Sequence, residues 1–202
     1  MRAGYKIAKL PGMMIMADDI KEALQTLRSG GVILYPTDTV WGIGCDATNE
    51  DAVDRIYRLK NRQDSKAMIV LLDLETRLNQ YIKEVPEIAW QLLETVDTPT
   101  TIIYPGARNI AVNLIAEDGS IGIRIAKDEF CQKLISQFKK PIVSTSANIS
   151  GERSPAIFDE ISEFICNGVD YIVEWRRHDQ SRTKPSSILK LGLGGEIQII
   201  RT

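Results

Sequence analysis

Apolar and polar positions recur along this chain with two periods, and each period predicts a kind of element. In residues 18–29, DDIKEALQTLRS, the apolar Ile20, Ala23, Leu24 and Leu27 share one helical face. Asp18 is placed to cap the start of this helix and Gly30-Gly31 to end it. Residues 49–60, NEDAVDRIYRLK, repeat the pattern, with Asn49 as N-cap and Val53, Ile56 and Tyr57 turned inward. Further helices are predicted over 86–96, opened by Pro86, over 128–138 and over 156–166. Between them lie short apolar runs. VILYP at 32–36 and MIVLL at 68–72 are continuous, as in strands buried on both faces. TTIIY, SIGIRI, PIVST, YIVEW, SSILKL and IQIIR read as further strands. Helices and strands mix without strict alternation, and no repeat or composition break divides the chain. The expected fold class is α/β, a single domain over residues 1–202 with a twisted mixed β-sheet flanked by helices.

Some polar residues do not fit a pure core. In SIGIRI, period two puts Ile121, Ile123 and Ile125 on one face and Ser120, Gly122 and Arg124 on the other. An arginine beside glycine and serine in mid-strand marks either a face open to an anion or an edge strand with a solvent-facing side chain. STSANISG at 144–151 follows an apolar strand and crowds hydroxyl and amide groups at its end. Ser144, Ser146 and, if the chain stays extended, Asn148 point one way. Burying such groups unpaired costs about 1–3 kcal/mol each, so either the protein or a ligand satisfies them. A helix N-cap would use them internally, whereas a phosphate at a strand end would use them as donors. Lys60 and Arg62, with Lys66 nearby, close the second helix, where cations are favoured by roughly 0.3–1 kcal/mol in any case. YPTDTVWG at 35–42 places Thr37, Asp38 and Thr39 at the tip of a buried strand, where open α/β sheets bind ligands.

Composition narrows the classes. Apolar residues make up 44% and charged residues 26% of 202, enough for a core without disulfide or metal staples. Cys45, Cys131 and Cys166 are odd in number and form no CxxC, which points to a reducing compartment. The single histidine, His178, excludes a histidine-cluster metal site, and no protein-held metal is expected. No run approaches the roughly 20 apolar residues of a membrane span, so a cytoplasmic protein without a membrane partner is expected. A net charge of −2 argues against a general nucleic-acid binder. The one basic cluster, WRRHDQSRTK at 175–184, is either a solvated loop or a loop that closes over an anion.

Taken in order, YPTDTVWGIGCDA, KNR followed by KAMIVLL, TTIIYPGA, SIGIRI, STSANISGERSP and PSSILKL resemble the Sua5/YciO/YrdC family. Its characterised members are threonylcarbamoyl-AMP synthases. The resemblance spans about residues 18–201, and the family's Lys-x-Arg and Ser-x-Asn set stands here as Lys60, Arg62, Ser146 and Asn148. The length is similar to that of the short YrdC-like form, without the extra C-terminal domain of Sua5-type proteins. The resemblance implies a YrdC/RibB-like fold with a concave, positively charged cavity. It also implies a reaction in which ATP, L-threonine and bicarbonate (or CO2) give threonylcarbamoyl-AMP and pyrophosphate for the t6A modification of tRNA. Magnesium would then be the cofactor, carried with ATP. The t6A transfer machinery, and tRNA itself, would be the partners.

Carried over position by position, Lys60, Arg62, Ser146 and Asn148 are the implied catalytic set and also bind ATP. Thr37, Arg124, Ser144 and Ser186 are the implied threonine contacts, and Ser154 and Arg201 further ATP contacts. Such a site needs cations and small hydroxyls rather than a nucleophile, because carbamate forms without one and nucleotidyl transfer is catalysed mainly by positioning and charge. Several positions depart from the family pattern. Trp41 replaces a tyrosine, Gln63 follows Lys-x-Arg in place of proline, Ala67 replaces a stiffening proline, and RT ends the chain in place of RPG. The rival readings are a YciO-like paralogue, a tRNA- or double-stranded-RNA-binding module of the same fold, and a sugar-phosphate lyase. The lyase needs acidic metal ligands and a histidine in the motifs, and His178 lies outside them.

Overall fold

A computed structural model describes residues 11–61 and 68–202. Helix α1 (Pro11–Arg28) leads into β1 (Ile33–Tyr35), which forms an antiparallel pair with β2 (Gly42–Gly44). Helix α2 (Glu50–Leu59), β3 (Ile69–Leu72), the short α3 (Leu78–Tyr81), α4 (Glu87–Thr95) and β4 (Thr100–Tyr104) follow. Then come β5 (Ile121–Ile125), α5 (Glu129–Phe138), β6 (Ile142–Ser146) and α6 (Glu163–Asn167). The last strands are β7 (Tyr171–Ile172), β8 (Ser187–Leu191) and β9 (Ile197–Arg201). They join one nine-stranded sheet in the order β7-β1-β2-β6-β3-β5-β4-β8-β9. The sheet is mixed: β1 with β7, β3 with β5 and β4 with β8 are parallel, and the remaining pairs are antiparallel.

Side-chain alternation sends each central strand into two cores. Val32, Leu34, Val70, Leu72 and Val143 join a core that includes Val53 and Ile56 of α2 and Ala89 of α4. Ile33, Tyr35, Leu71 and Ile142 join the other, built on Ile20, Ala23 and Leu27 of α1 and Phe130, Leu134 and Phe138 of α5. That is the burial on both faces expected of the continuous apolar runs. The second core stops short, however. Among the described residues, it includes no side chain from β4, β5, β8 or β9. Where α1 and α5 end, this face of the sheet lies open.

Register decides what stands on the open face. Ile69 is opposite Ser144 on one side and Gly122 on the other, and Leu71 is opposite Ile142 and Arg124. Directly opposed residues share a face. Ser144, Gly122 and Arg124 therefore continue the surface that Leu71 and Ile142 present to α1 and α5.

Some sequence expectations change. Helix α1 begins well before Asp18, so that residue lies within the helix rather than at its cap. Its neighbour Asp19 is buried instead, accepting from the Tyr171 hydroxyl at 2.6 Å and the backbone N–H groups of Glu174 and Trp175 at 2.9 and 2.7 Å. That capture bends the chain, and YIVEW yields only the two-residue β7. Residues 156–166 form a 3-10 turn, Phe158–Glu160, and then the separate α6 capped by Ser162. Asn49 caps α2 as expected, accepting from the Ala52 N–H, and Asp128 caps α5, accepting from that of Cys131. No helix of the described residues is long and apolar enough to cross a membrane.

Candidate functional site

The open face holds a cavity of about 210 Å³ at the ends of β2, β5, β6 and β8. Two glycines keep its floor low. A Cβ on Gly42 would lie 3.3 Å from Ser144 Oγ, and one on Gly122 would lie 3.2 Å from Ile69 Cγ2. The lining includes Arg124, Ser144, Ser146, Ser154, Ser186 and Arg201, and no carboxylate among the described residues. Six residues predicted from sequence thus converge on one concavity, although they are spread over three strands and two loops.

Arg124 rises from mid-β5 and is 3% exposed. Its Nη2 lies 3.0 Å from Asp38 Oδ1 and donates, at 3.5 Å, to the Thr37 hydroxyl. The contact with Asp38 is an ion pair by distance, yet Asp38 Oδ1 receives no properly aligned hydrogen bond, and the buried Nε of Arg124 has no partner. Thr37 is locked at the strand tip. Its hydroxyl donates to the Val40 carbonyl at 2.8 Å and accepts from the Thr39 N–H at 3.0 Å. Thr37 lies below the lining, under Gly42, rather than in it.

Arg201 comes from the far edge of the sheet. Its Nε and Nη2 both donate to the Ser186 carbonyl, at 3.0 and 2.7 Å. The Ser186 hydroxyl is paired with Thr101 Oγ1 at 2.8 Å. Partial burial lowers the pKa of Arg201, and the charge of Arg124 lowers it further. Two guanidiniums that repel across a cavity without an acid in its lining form a place for an anion.

Lys60 closes α2 as the sequence implies, but neither it nor Asn148 lines the cavity. Strand β6 ends at Ser146, and the chain then turns, with the Asn148 N–H donating to the Ser146 carbonyl at 2.9 Å. Asn148 is therefore not extended into the cavity. Its Nδ2 donates to the carbonyls of Ile149 and Glu152 at 2.8 and 2.9 Å, which shapes the following loop. Lys60, 1% exposed, caps the C-terminus of α2 and reaches the same turn, donating to the carbonyls of Ser146 and Asn148. Neither residue lines the cavity; both hold the strand end that does. Arg62, Gln63, Lys66 and Ala67 lie outside the described residues. Trp41 is a core residue, edge-on to Phe158 with ring centroids 5.0 Å apart.

The basic loop is occupied locally. Arg176 pairs with Asp179, Arg177 with Glu174 and Arg182 with Glu160. Arg176 also donates to the Thr37 carbonyl at 3.1 Å, which ties the loop to the tip of β1. Asp38 as partner of Arg124, Gly42 as floor and Thr101 as partner of Ser186 were not identified from sequence. Only the tip motif and the WGIG glycines hinted at the first two. A second cavity of about 220 Å³ beside α4 is lined largely by Leu92, Leu93, Val96, Ile102 and Ile125 and gathers none of the predicted residues.

Comparison with known proteins identifies the family. A family profile for Sua5/YciO/YrdC, described as "Telomere recombination", matches residues 25–202. A threonylcarbamoyl-AMP synthase of Vibrio parahaemolyticus is 32% identical over 174 residues, covering 85% of this chain and 93% of that protein. One from Hahella chejuensis is 35% identical over 178 residues, covering 87% of this chain and 95% of that protein. Among solved structures, P. abyssi Sua5 complexed with L-threonine superposes with a TM-score of 0.76 at 26% identity, covering 91% of this chain. This chain spans about half of that one, 52%. E. coli YciO, at 23% identity and a TM-score of 0.78, shares the fold over 96% of this chain and 90% of its own.

Proposed function

The chain belongs to the Sua5/YciO/YrdC family, and from that premise we propose that it makes threonylcarbamoyl-AMP and pyrophosphate from L-threonine, bicarbonate or CO2, and ATP. The observation that carries this reading is the cavity itself, with two arginines and four serines and no acid in the lining. Such a surface suits a substrate set made of a carboxylate, a carbamate and a polyphosphate. It offers no nucleophile flanked by a base, and the reaction needs none. The threonine nitrogen attacks CO2 and loses a proton, giving a carbamate. A carbamate oxygen then attacks the α-phosphorus of ATP, the bond to the β-phosphate oxygen breaks, and pyrophosphate leaves. Positioning and charge stabilisation supply the catalysis, which makes the protein a nucleotidyltransferase.

In this reading Arg124, Ser144 and Ser186, with Thr37 behind them, take the threonine. Ser146, Ser154 and Arg201 take the nucleotide. Lys60, Arg62 and Asn148 belong to the same catalytic set; for Lys60 and Asn148 the support lies in how they hold the turn after Ser146. Magnesium enters with the ATP phosphates, whose charge it offsets. The product passes to the cytoplasmic machinery that builds t6A on tRNA.

Incubation with ATP and Mg2+, with threonine and bicarbonate added singly and together, tests the proposal. Pyrophosphate should appear only with both, together with the mass of the mixed anhydride. Equal release without threonine would overturn the assignment. A folded protein that releases none under any condition would favour the YciO-like reading.

A further inference from the structure

Arg124 is held from behind, and the holder is the residue after Thr37. Asp38 is buried with it: the two side chains are 9% and 3% exposed, and Oδ1 lies 3.0 Å from Nη2. The other carboxylate oxygen, Oδ2, accepts from the backbone N–H of Lys127 at 3.5 Å, which ties the tip of β1 to the end of β5. Asp38 is not in the cavity lining, so it has no direct route to a ligand. A second acid, Asp128, caps the start of α5, where its Oδ1 accepts from the Cys131 N–H at 3.0 Å, and it forms no ion pair with Arg124. Asp38 is therefore the carboxylate that meets this guanidinium. Only one corner of the fork is engaged, since Nη2 faces Asp38 and Thr37 while the buried Nε has no partner. A guanidinium is planar, and holding one nitrogen restricts where the others can point.

Resting on the function proposed above, we propose that Asp38 is a positioning residue for the substrate amino acid. Its carboxylate fixes the plane of the Arg124 guanidinium, so that the remaining donors meet the threonine carboxylate in a paired geometry. The off-line contact fits this role. A fully aligned, two-bonded pair would take a whole edge of the guanidinium, whereas a one-corner hold orients it and leaves more of its five donors for the ligand.

Calorimetric titration of threonine and, separately, of ATP into wild type and Asp38→Asn tests this. Asparagine keeps the shape and removes the charge. The dissociation constant for threonine should rise about tenfold, the scale of a misplaced contact, with that for ATP unchanged. Asp38→Glu should recover most of the loss. In an Arg124→Lys background, which has no fork to orient, Asp38→Asn should add nothing further. If Asp38→Asn does not fold, Asp38→Glu and Asp38→Gln repeat the comparison at equal length, with Glu binding threonine several-fold more tightly. Unchanged threonine affinity in a folded Asn variant, equal loss of both ligands, or a Gln variant as good as Glu would each overturn the proposal. Wild-type protein that binds ATP but not threonine would instead overturn the functional reading beneath it.

Discussion

The ammonium of Lys60 lies 2.5 Å from the carbonyl oxygen of Asn148, so a residue at the end of α2 holds the turn after β6. It also donates to the Ser146 carbonyl, and the Ser150 N–H donates back to the Lys60 carbonyl at 2.9 Å. Helix end and strand end are thereby joined across the chain. Lys60→Met removes the donor and keeps most of the volume, leaving buried carbonyls unsatisfied. We expect a loss of about 2 kcal/mol, within the usual range for such groups. Urea unfolding measures it, with the exposed Lys133→Met as a control that should change little. A Lys60→Met protein as stable as wild type would show that the anchor contributes nothing.

The two halves of the cavity should respond differently to substitution. Arg124→Lys keeps a charge but loses the fork. It should raise the Michaelis constant for threonine by roughly tenfold to a hundredfold, the worth of a hydrogen bond to a charged group, and leave that for ATP nearly unchanged. Ser146→Ala should show the opposite bias. Steady-state kinetics with each substrate varied in turn separates them. An Arg124→Lys enzyme impaired for ATP alone would reverse the division.

Gly42 sits between Ser144 and Thr37, the two residues assigned to threonine in the proposal above. A Cβ there would lie 3.3 Å from Ser144 Oγ and 3.4 Å from Thr37 Cγ2. Gly42→Ala should therefore crowd the ligand more than the fold. We expect about 1 kcal/mol of destabilisation, at the lower end for overpacking, and a larger proportional loss in threonine affinity. Thermal unfolding with and without threonine reports both quantities.

Asp170 should shape the acid limb of stability. Its pKa lies below the ordinary 3.8, first through the hydrogen bond from Arg55 and then through that from the Val32 N–H. A depressed folded value means that the stabilisation is complete above 3.8 and disappears as the pH falls through the folded value. Asp170→Asn should be less stable than wild type at neutral pH, and the two should converge in strong acid. Denaturation midpoints across pH 2–7 would show the convergence, and a constant gap over that range would rule it out.

The legible parts of this protein were those governed by local periodicity. Alternation in SIGIRI separated Arg124 and Gly122 from the isoleucines, and the register with β3 places that face over the cavity. Helices α2 and α5 were legible because Asn49 and Asp128 cap them from adjacent sequence. What was not legible depends on distant partners. Asp19 shortens β7 from more than a hundred residues away, through contacts such as that with the Glu174 N–H. β2 is three residues, too short to show a period. Lys60 has the sequence of a solvated helix end, and only the approach of the turn after β6 explains its burial. Asn148 would share the face of Ser144 and Ser146 only if its strand continued; the turn at Ser146 withdraws it.

The uncovered half of the sheet has a thermodynamic consequence. Elsewhere α1 and α5 shield this face, but among the described residues no helix covers it over β4, β5 and β8. A bound substrate would occupy that place and act as a temporary layer of the protein. Ligand at a hundred times its dissociation constant would then add about 2.7 kcal/mol to the native state. In amide hydrogen exchange, the added protection should be greatest in β5 and β9, the strands that carry Arg124 and Arg201, and in β8 beside β9, and least in β1 under α1. On this view the ligand-free fold is an enzyme with part of its core still in solution.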